Sequence, residues 1–469
     1  MRNKFISKWK VWSMLFALLV TLTCISGCKE EVSDSPSEPH DPSKPVEVTD
    51  FLPKSGGVGQ RLVIYGSNFG NDKSLVRVTV GGNKAIVIGV NSESIYCVVP
   101  EKAYNGDIKV YIGSEENSKL AQATEVFDYQ RKKVVSTLVG YKNERDDQGW
   151  TSGSFEEVAG FAQPCLMSFD PLNRDHLYIS YDNGLGLYLV NFSDSTVVQH
   201  LSPSAVGSGG NRFRGIQFTP DGEYIVVGHS NPGENVVSNT ILSRANNFKD
   251  PQILTQSRGN QGVAIHPVNG ELYFCEFQTG TLRRYDLMNS QPVGGTLGPK
   301  DYEDLYKIQD VSWEFWLSIH PTGDYAYIIV RNQHYILRTD YNWETQRFMV
   351  PYLVCGEPRS AGYQDGVGAS ARLNLPYQGV FVKNPEYEGD EDEYDFYFTE
   401  QQNHDIRLLL PDGRVETFAG RGSTGLNANN WGYVDGDLRL EARFNEPSGL
   451  AYNEEEGAFY VVDVMNRRL

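Results

Sequence analysis

The stretch Gly362-Tyr363-Gln364-Asp365-Gly366, followed by Ala371-Arg372-Leu373 and Pro376, returns as Gly432-Tyr433-Val434-Asp435-Gly436, then Ala442-Arg443-Phe444 and Pro447. A worn copy precedes both: Trp150, Ser152-Gly153, then Ala159-Gly160-Phe161 and Pro164. Each copy leads into an apolar strand. Self-similarity of this kind restricts the fold more than any other feature of the chain. One repeat cannot bury its apolar face alone and must stack on its neighbours.

A second pattern runs under the first. From residue 131 onward an apolar strand ends in a Pro or Gly turn, and an aromatic-rich strand follows, about six times over. The clearest turns are Phe218-Thr-Pro-Asp-Gly222, Ile265-His-Pro-Val-Asn-Gly270 and Ile319-His-Pro-Thr-Gly323. Weaker copies begin at Phe169, Val382 and Tyr452. With 46 Gly, 22 Pro and 12% aromatic residues, the chain favours short strands and tight turns. Four-stranded units at this spacing read as the blades of a propeller. The acidic insert Glu386 to Glu393 reads as a solvated turn extension, with a metal-binding loop as the alternative.

The formal net charge of -18 argues against nucleic acid, whose phosphates need a basic face, and against a basic patch for anionic lipid. At the N-terminus Arg2, Lys4, Lys8 and Lys10 precede an uncharged run from Val11 to Ile25. This is a basic region and an apolar core of the signal-peptide type, too short to span a bilayer comfortably. The run ends in Ile25-Ser26-Gly27-Cys28, which resembles the lipobox of bacterial lipoproteins. That resemblance implies a signal peptide over 1–27 and an acylated Cys28, so that membrane attachment is by a lipid anchor only. Lys29-Glu30-Glu31 is similar to the acidic export signal of Bacteroidota lipoproteins, which implies the outer membrane and its external face. Residues 28–45, rich in Ser, Pro and acids, read as a flexible tether. Cys97, Cys165, Cys275 and Cys355 show no metal spacing, and Cys97 and Cys275 sit in apolar strands as buried thiols would.

Residues 46–130 alternate in strand fashion with Gly turns, among them Gly81-Gly82 after Val76-Arg-Val-Thr-Val80, as in an immunoglobulin-like sandwich. Pro53-Lys54-Ser55-Gly56-Gly57, Gly59, Gly66-Ser67-Asn68-Phe69-Gly70, Val80-Gly81-Gly82 and Val99-Pro100 resemble the IPT/TIG family. The resemblance implies a spacer or interaction module without catalytic residues. The copies at Tyr363 and Tyr433, with Gln402-Asn403-His404-Asp405-Ile406-Arg407, look like NHL repeats over the last quarter of the chain. Residues 131–469 are therefore expected to form an NHL-type six-bladed β-propeller, in a chain that is all-β throughout. Lys133-Val-Val-Ser-Thr-Leu-Val139-Gly140 has the form of the outer strand Arg414-Val-Glu-Thr-Phe-Ala419-Gly420. The chain stops at Arg467-Arg468-Leu469, so Val134–Val139 is predicted to complete the C-terminal blade and close the ring.

Short polar loops between the second and third strands of each blade supply candidate ligand contacts on one rim. They carry Asp182, His229, Glu276, Arg331, Glu400 and Asp463. Acids, amides and an Arg around a channel suit hydroxyl-rich or cationic ligands. The plainer expectation is that they satisfy strand ends and one another. Aromatics form the second candidate set: Trp150, Tyr363 and Tyr433 at matching repeat positions, Trp431 beside the last, and Trp313, Trp316 and Trp343. Exposed rings would stack on sugar faces, whereas most propeller aromatics pack between blades.

Catalytic signals are poor. The patterns G-x-S-x-G and H-E-x-x-H are absent, His266 and His320 read as turn chemistry, and His404 matches the repeat. Some NHL-like propellers are metal-dependent lyases or lactonases, but here His229 is the one candidate inward His, and zinc sites generally take three protein ligands. No cofactor is expected. The favoured expectation is a surface lipoprotein that binds a glycan or other small ligand beside an outer-membrane uptake complex. The alternatives are a hydrolase or lyase with Ca²⁺ or Zn²⁺ in the channel, and a protein-binding scaffold.

Overall fold

The computed structural model describes residues 38–100, 103–114, 117–130, 133–140, 152–156, 160–161, 163–182, 184–206, 212–231, 233, 236–276, 278–287, 302–308, 314–422 and 429–469. Its contacts divide the chain into two units between residues 132 and 133. Cys28 and Trp150, read from the sequence as an acylation site and a rim aromatic, lie outside the described residues, as does Trp313.

The first unit is a sandwich of two antiparallel sheets. One runs in the order Glu47–Leu52, Arg61–Ser67, Ser94–Val98, Ile86–Val90, and the other Asn83–Lys84, Val76–Val80, Ile108–Ile112, Lys119–Gln122. Alternation along these strands sends Leu62, Ile64, Val78, Val80, Ile95, Cys97, Ile108 and Val110 into one core, as a period-two pattern requires. Asn68, at φ 62° in the Gly-Ser-Asn-Phe-Gly turn, turns its side chain back on the preceding segment. It accepts from the Asp41 N–H at 2.8 Å and donates to the Asp41 carbonyl at 2.9 Å. Lys119 donates to the Lys44 carbonyl at 2.8 Å. The tether expected over 28–45 therefore does not run free to its end: its last residues are held on the sandwich by hydrogen bonds that a polar composition does not reveal.

The second unit is a six-bladed β-propeller. The inner strands are Cys165–Asp170, Phe213–Phe218, Asn260–Ile265, Phe315–Ile319, Pro376–Lys383 and Pro447–Asn453, each paired antiparallel with an aromatic-rich second strand. Neighbouring inner strands touch all the way round, Pro447–Asn453 meeting Cys165–Asp170. Gln378 fastens this junction. Its Oε1 accepts from the N–H groups of Met167 and Leu450 at 2.9 and 3.0 Å, and its Nε2 donates to the Met167 carbonyl at 2.7 Å. The strands come this close because Gly449 carries no Cβ; one there would lie 2.9 Å from both Cys165 Sγ and Met167 Cγ.

Closure follows the predicted route. Val134–Val135 pairs with Gly436–Asp437, just as Gly366–Val367 pairs with the outer strand Arg414–Gly420. Leu138 N–H donates to the Leu469 carbonyl at 2.8 Å, and Leu469 N–H donates to the Val139 carbonyl at 2.9 Å. Thr137 stands where Thr417 stands in the preceding blade: their hydroxyls donate to Asp435 at 3.1 Å and Asp365 at 3.0 Å. The four cysteines among the described residues, Cys97, Cys165, Cys275 and Cys355, are buried free thiols. Burial pushes those of Cys97 and Cys165 up to about 12.

Candidate functional site

Inner strands of a propeller all run the same way along the channel, so strand starts gather at one end and the hairpins that follow them at the other. The two ends differ in chemistry.

The starting end is closed by charge. Asp182 follows a second strand, and its N–H is anchored on the Pro164 carbonyl at 3.1 Å. Its carboxylate accepts from Arg212 at 2.9 Å and pairs with Arg214 at 2.7 Å. Arg214 crosses the channel, from the second blade to the fourth, to Glu314 at 3.1 Å. Glu314 pairs with Arg331 at 2.6 Å, and Arg331 donates to the side-chain amide oxygen of Gln401 in the fifth blade at 2.6 Å. Arg214 is almost wholly buried. Burial pushes the Asp182 carboxyl up, but the hydrogen bonds from Arg212 and Arg214 outweigh it and hold it below the ordinary carboxylate range. Beneath this ladder Trp316 packs on Tyr377 with ring centroids 4.4 Å apart.

Of the rim residues read from the sequence, the structure brings Asp182 and Arg331 together through Arg214 and Glu314. The others stay within their own blades or repeats. His229 is fully buried, accepts or donates at Thr240 Oγ1 over 2.8 Å, and stands edge-on to Phe213; burial lowers it to about 3, so it is neutral. Glu276 is bound by Arg283 at 2.9 Å and by the Thr279 hydroxyl. Glu400 is fully buried and accepts from Arg407 at 2.7 Å, Asn403 at 3.0 Å and the Asn374 N–H at 2.6 Å. Asp463 repeats this with Arg468 at 2.8 Å, Asn466 at 2.7 Å and the Asn445 N–H at 2.6 Å. Burial prevails over Arg468 and raises Asp463 to about 6.

Tyr363 donates to or accepts from Thr417 of an outer strand at 2.8 Å, and Arg421 covers its ring at 3.6 Å. Arg468 covers Tyr433 at 4.2 Å. Both rings therefore brace repeats, while Trp431 is exposed. Asp365 and Asp435 are held by the Arg407 and Arg468 side chains, and Asp435 also accepts from the Thr137 N–H at 2.8 Å. His266 accepts from the N–H groups of Val268 and Asn269, both at 3.3 Å, in keeping with turn chemistry.

The hairpin end is open. A cavity of about 500 Å³ lies there, walled by inner-strand residues of all six blades. Its wall is mixed: Phe169, Phe218 and Phe381 beside Ser168, Gln217, Ser318 and Gln378, with Arg174 and Tyr452 toward the hairpins and Trp316 at the inner end. Asp182, Arg214, Glu314 and Arg331 do not line it. The Trp316 indole N–H is buried without a hydrogen-bond partner among the described residues. Sequence reasoning missed this end because it looked for charged loops; the available signal was the polar residue interrupting apolar inner strands, as at Ser168, Gln217, Ser318 and Gln378. Among the described residues no group of three or more His, Cys, Asp or Glu is placed to hold a metal ion, and no helix is long and apolar enough to cross a membrane.

Sandwich and ring define the class: an IPT/TIG domain, whose family model matches residues 45–128, joined to a six-bladed propeller. Relatives of the whole chain are found among solved structures. An auxiliary nutrient binding protein from Bacteroides thetaiotaomicron is 42% identical over 92% of this chain and 98% of its own, with a TM-score of 0.67. One from Bacteroides ovatus is 38% identical over 92% and 98%, with a TM-score of 0.81. A putative phosphatase from B. thetaiotaomicron is 41% identical over 92% and 97%, with a TM-score of 0.70. No curated protein matches the chain. The chain belongs to the family of these Bacteroides proteins.

Proposed function

We propose that this protein is an accessory nutrient-binding lipoprotein of the cell surface, which captures a glycan for an outer-membrane uptake complex. The observation that carries the reading is kinship over nearly the full chain with two auxiliary nutrient binding proteins. A cavity with both apolar walls and hydrogen-bonding groups suits a sugar, which offers C–H faces and hydroxyls together. Acylation of Cys28 would hold the protein at the membrane, and the matched Asn403–Glu400 and Asn466–Asp463 braces support the NHL kinship of the last blades.

Affinity electrophoresis of the soluble form, lacking residues 1–28, through gels containing plant, fungal and host polysaccharides tests the reading. Retardation by at least one polysaccharide is expected. Free migration in all of them, with turnover of p-nitrophenyl phosphate, would favour the catalytic alternative that the phosphatase relative raises.

A further inference from the structure

We infer that the hairpin end of the channel is a blind pocket for the end of a glycan chain, and that it does not hold chain interiors. This rests on the glycan reading above and adds the site and the part of the ligand bound. The pocket has one way in. At its inner end the ladder Asp182–Arg214–Glu314–Arg331–Gln401 spans the channel, so no polymer threads through. About 500 Å³ leaves room for roughly two sugar rings, at the lower end of small-ligand sites.

Hydrogen-bonding capacity in the pocket is unused. The Trp316 N–H, buried at the inner end, has no partner among the described residues. A buried donor left so is costly, and a ligand hydroxyl brought to it by a small shift of the wall would recover that cost. Arg174 and Gln217 both line the pocket, and neither side chain makes a hydrogen bond or ion pair with another described residue. The Ser168 hydroxyl finds only its neighbour's carbonyl, at 3.5 Å. Around these groups Phe169, Phe381 and Tyr452 give the wall apolar surface for sugar C–H bonds. The contrast with the other end is direct: there the charged groups already have partners.

The test uses the polysaccharide that retards the protein in the gel, as intact polymer, as its disaccharide and monosaccharide, and as polymer trimmed by an exo-acting hydrolase. The disaccharide is expected to release the protein from the polymer. In calorimetry, apparent affinity is expected to rise with the number of chain ends at constant mass. Gln217→Leu and Trp316→Phe, the second keeping the stack on Tyr377, are each expected to weaken disaccharide binding about tenfold. Trp431→Ala is expected to leave it unchanged. Thermal melts and circular dichroism verify that each variant is folded, and Arg174→Gln gives an independent variant near the mouth. Polymer retention that neither sugar competes, or that Trp431→Ala abolishes while Gln217→Leu and Arg174→Gln do not, overturns the inference and leaves the glycan reading standing. Retention by no polysaccharide overturns both.

Discussion

The two ends of the propeller channel are built from the same six strands and have opposite characters. At the strand starts, side chains of four blades meet in a ladder of ion pairs from Asp182 to Gln401. At the hairpin end, mostly uncharged polar groups stand in an open cavity with Arg174 and Glu454 near its mouth, and Gln217 and the Trp316 N–H have no hydrogen-bond partner among the described residues. The difference teaches that charge in a loop is a poor guide to a binding site. A buried charge must find an opposite charge to be tolerated at all, so the charged end is already satisfied. Capacity for a ligand lies where donors remain free.

The largest expected effect comes from breaking the ladder. Arg214→Met removes the group that Asp182 and Glu314 share, and leaves both carboxylates under-paired in a buried setting. A loss of about 3 kcal/mol is expected, read from the propeller's urea transition. A change below about 1 kcal/mol would mean that the ladder is open to water and the channel open at both ends.

Next comes Gln378→Leu. It strips three hydrogen bonds from the joint between the fifth, sixth and first blades, at an expected cost of about 2 kcal/mol. Hydrogen exchange at Met167 and Leu450 should quicken, while exchange at Leu62 in the sandwich should not.

Third is a pH dependence. Burial lowers His229 to about 3, well below the ordinary value near 6.5. A group lowered on folding stabilises fully above its unfolded pKa, and that contribution is lost as pH falls from about 6.5 toward 3, at about 1.4 kcal/mol per pH unit. Asp463 has the opposite sign. Raised to about 6, it favours the folded state increasingly as pH falls from about 6 to 4. His229→Gln keeps a side-chain partner for Thr240, and should flatten the acid slope of stability between pH 6.5 and 5 by one proton. An unchanged slope would show that His229 reaches solvent. The smallest effect sharpens the comparison from the other end: Gln217→Leu should alter stability by less than about 0.5 kcal/mol, because its amide bonds to no other described residue.

Much of this architecture was legible before any coordinates. Gly-Tyr-x-Asp-Gly marked the last repeats, and the shared form of the segments ending in Gly140 and Gly420 placed Val134–Val139 in the outer strand of the final blade. The Gly-Ser-Asn-Phe-Gly turn marked the sandwich. The site was legible only in part. Asp182, His229, Glu276 and Glu400 hold matching places along their blades, yet one spans a ladder, one is a neutral buried imidazole and two are clamped by local arginines. That divergence depends on which neighbour each blade presents. Arg214 and Glu314 are 100 residues apart, and their meeting is fixed by the diameter of the ring. Periodicity reports which face of a strand is apolar, and the reach of a guanidinium across a channel leaves no mark on it.

The fastening of Val139 to Leu469 also sets an order of events during synthesis. The chain emerges from its N-terminal side, so the segment that seals the last blade is made long before its partner. Until Leu469 arrives, the growing propeller is an arc with two bare sheet margins, each able to pair with another chain. The long loop joining the two fasteners makes their meeting slow. Quality of assembly in this protein thus turns on one late event, when the earliest blade-forming strand recovers residues made more than three hundred positions after it and the arc becomes a ring.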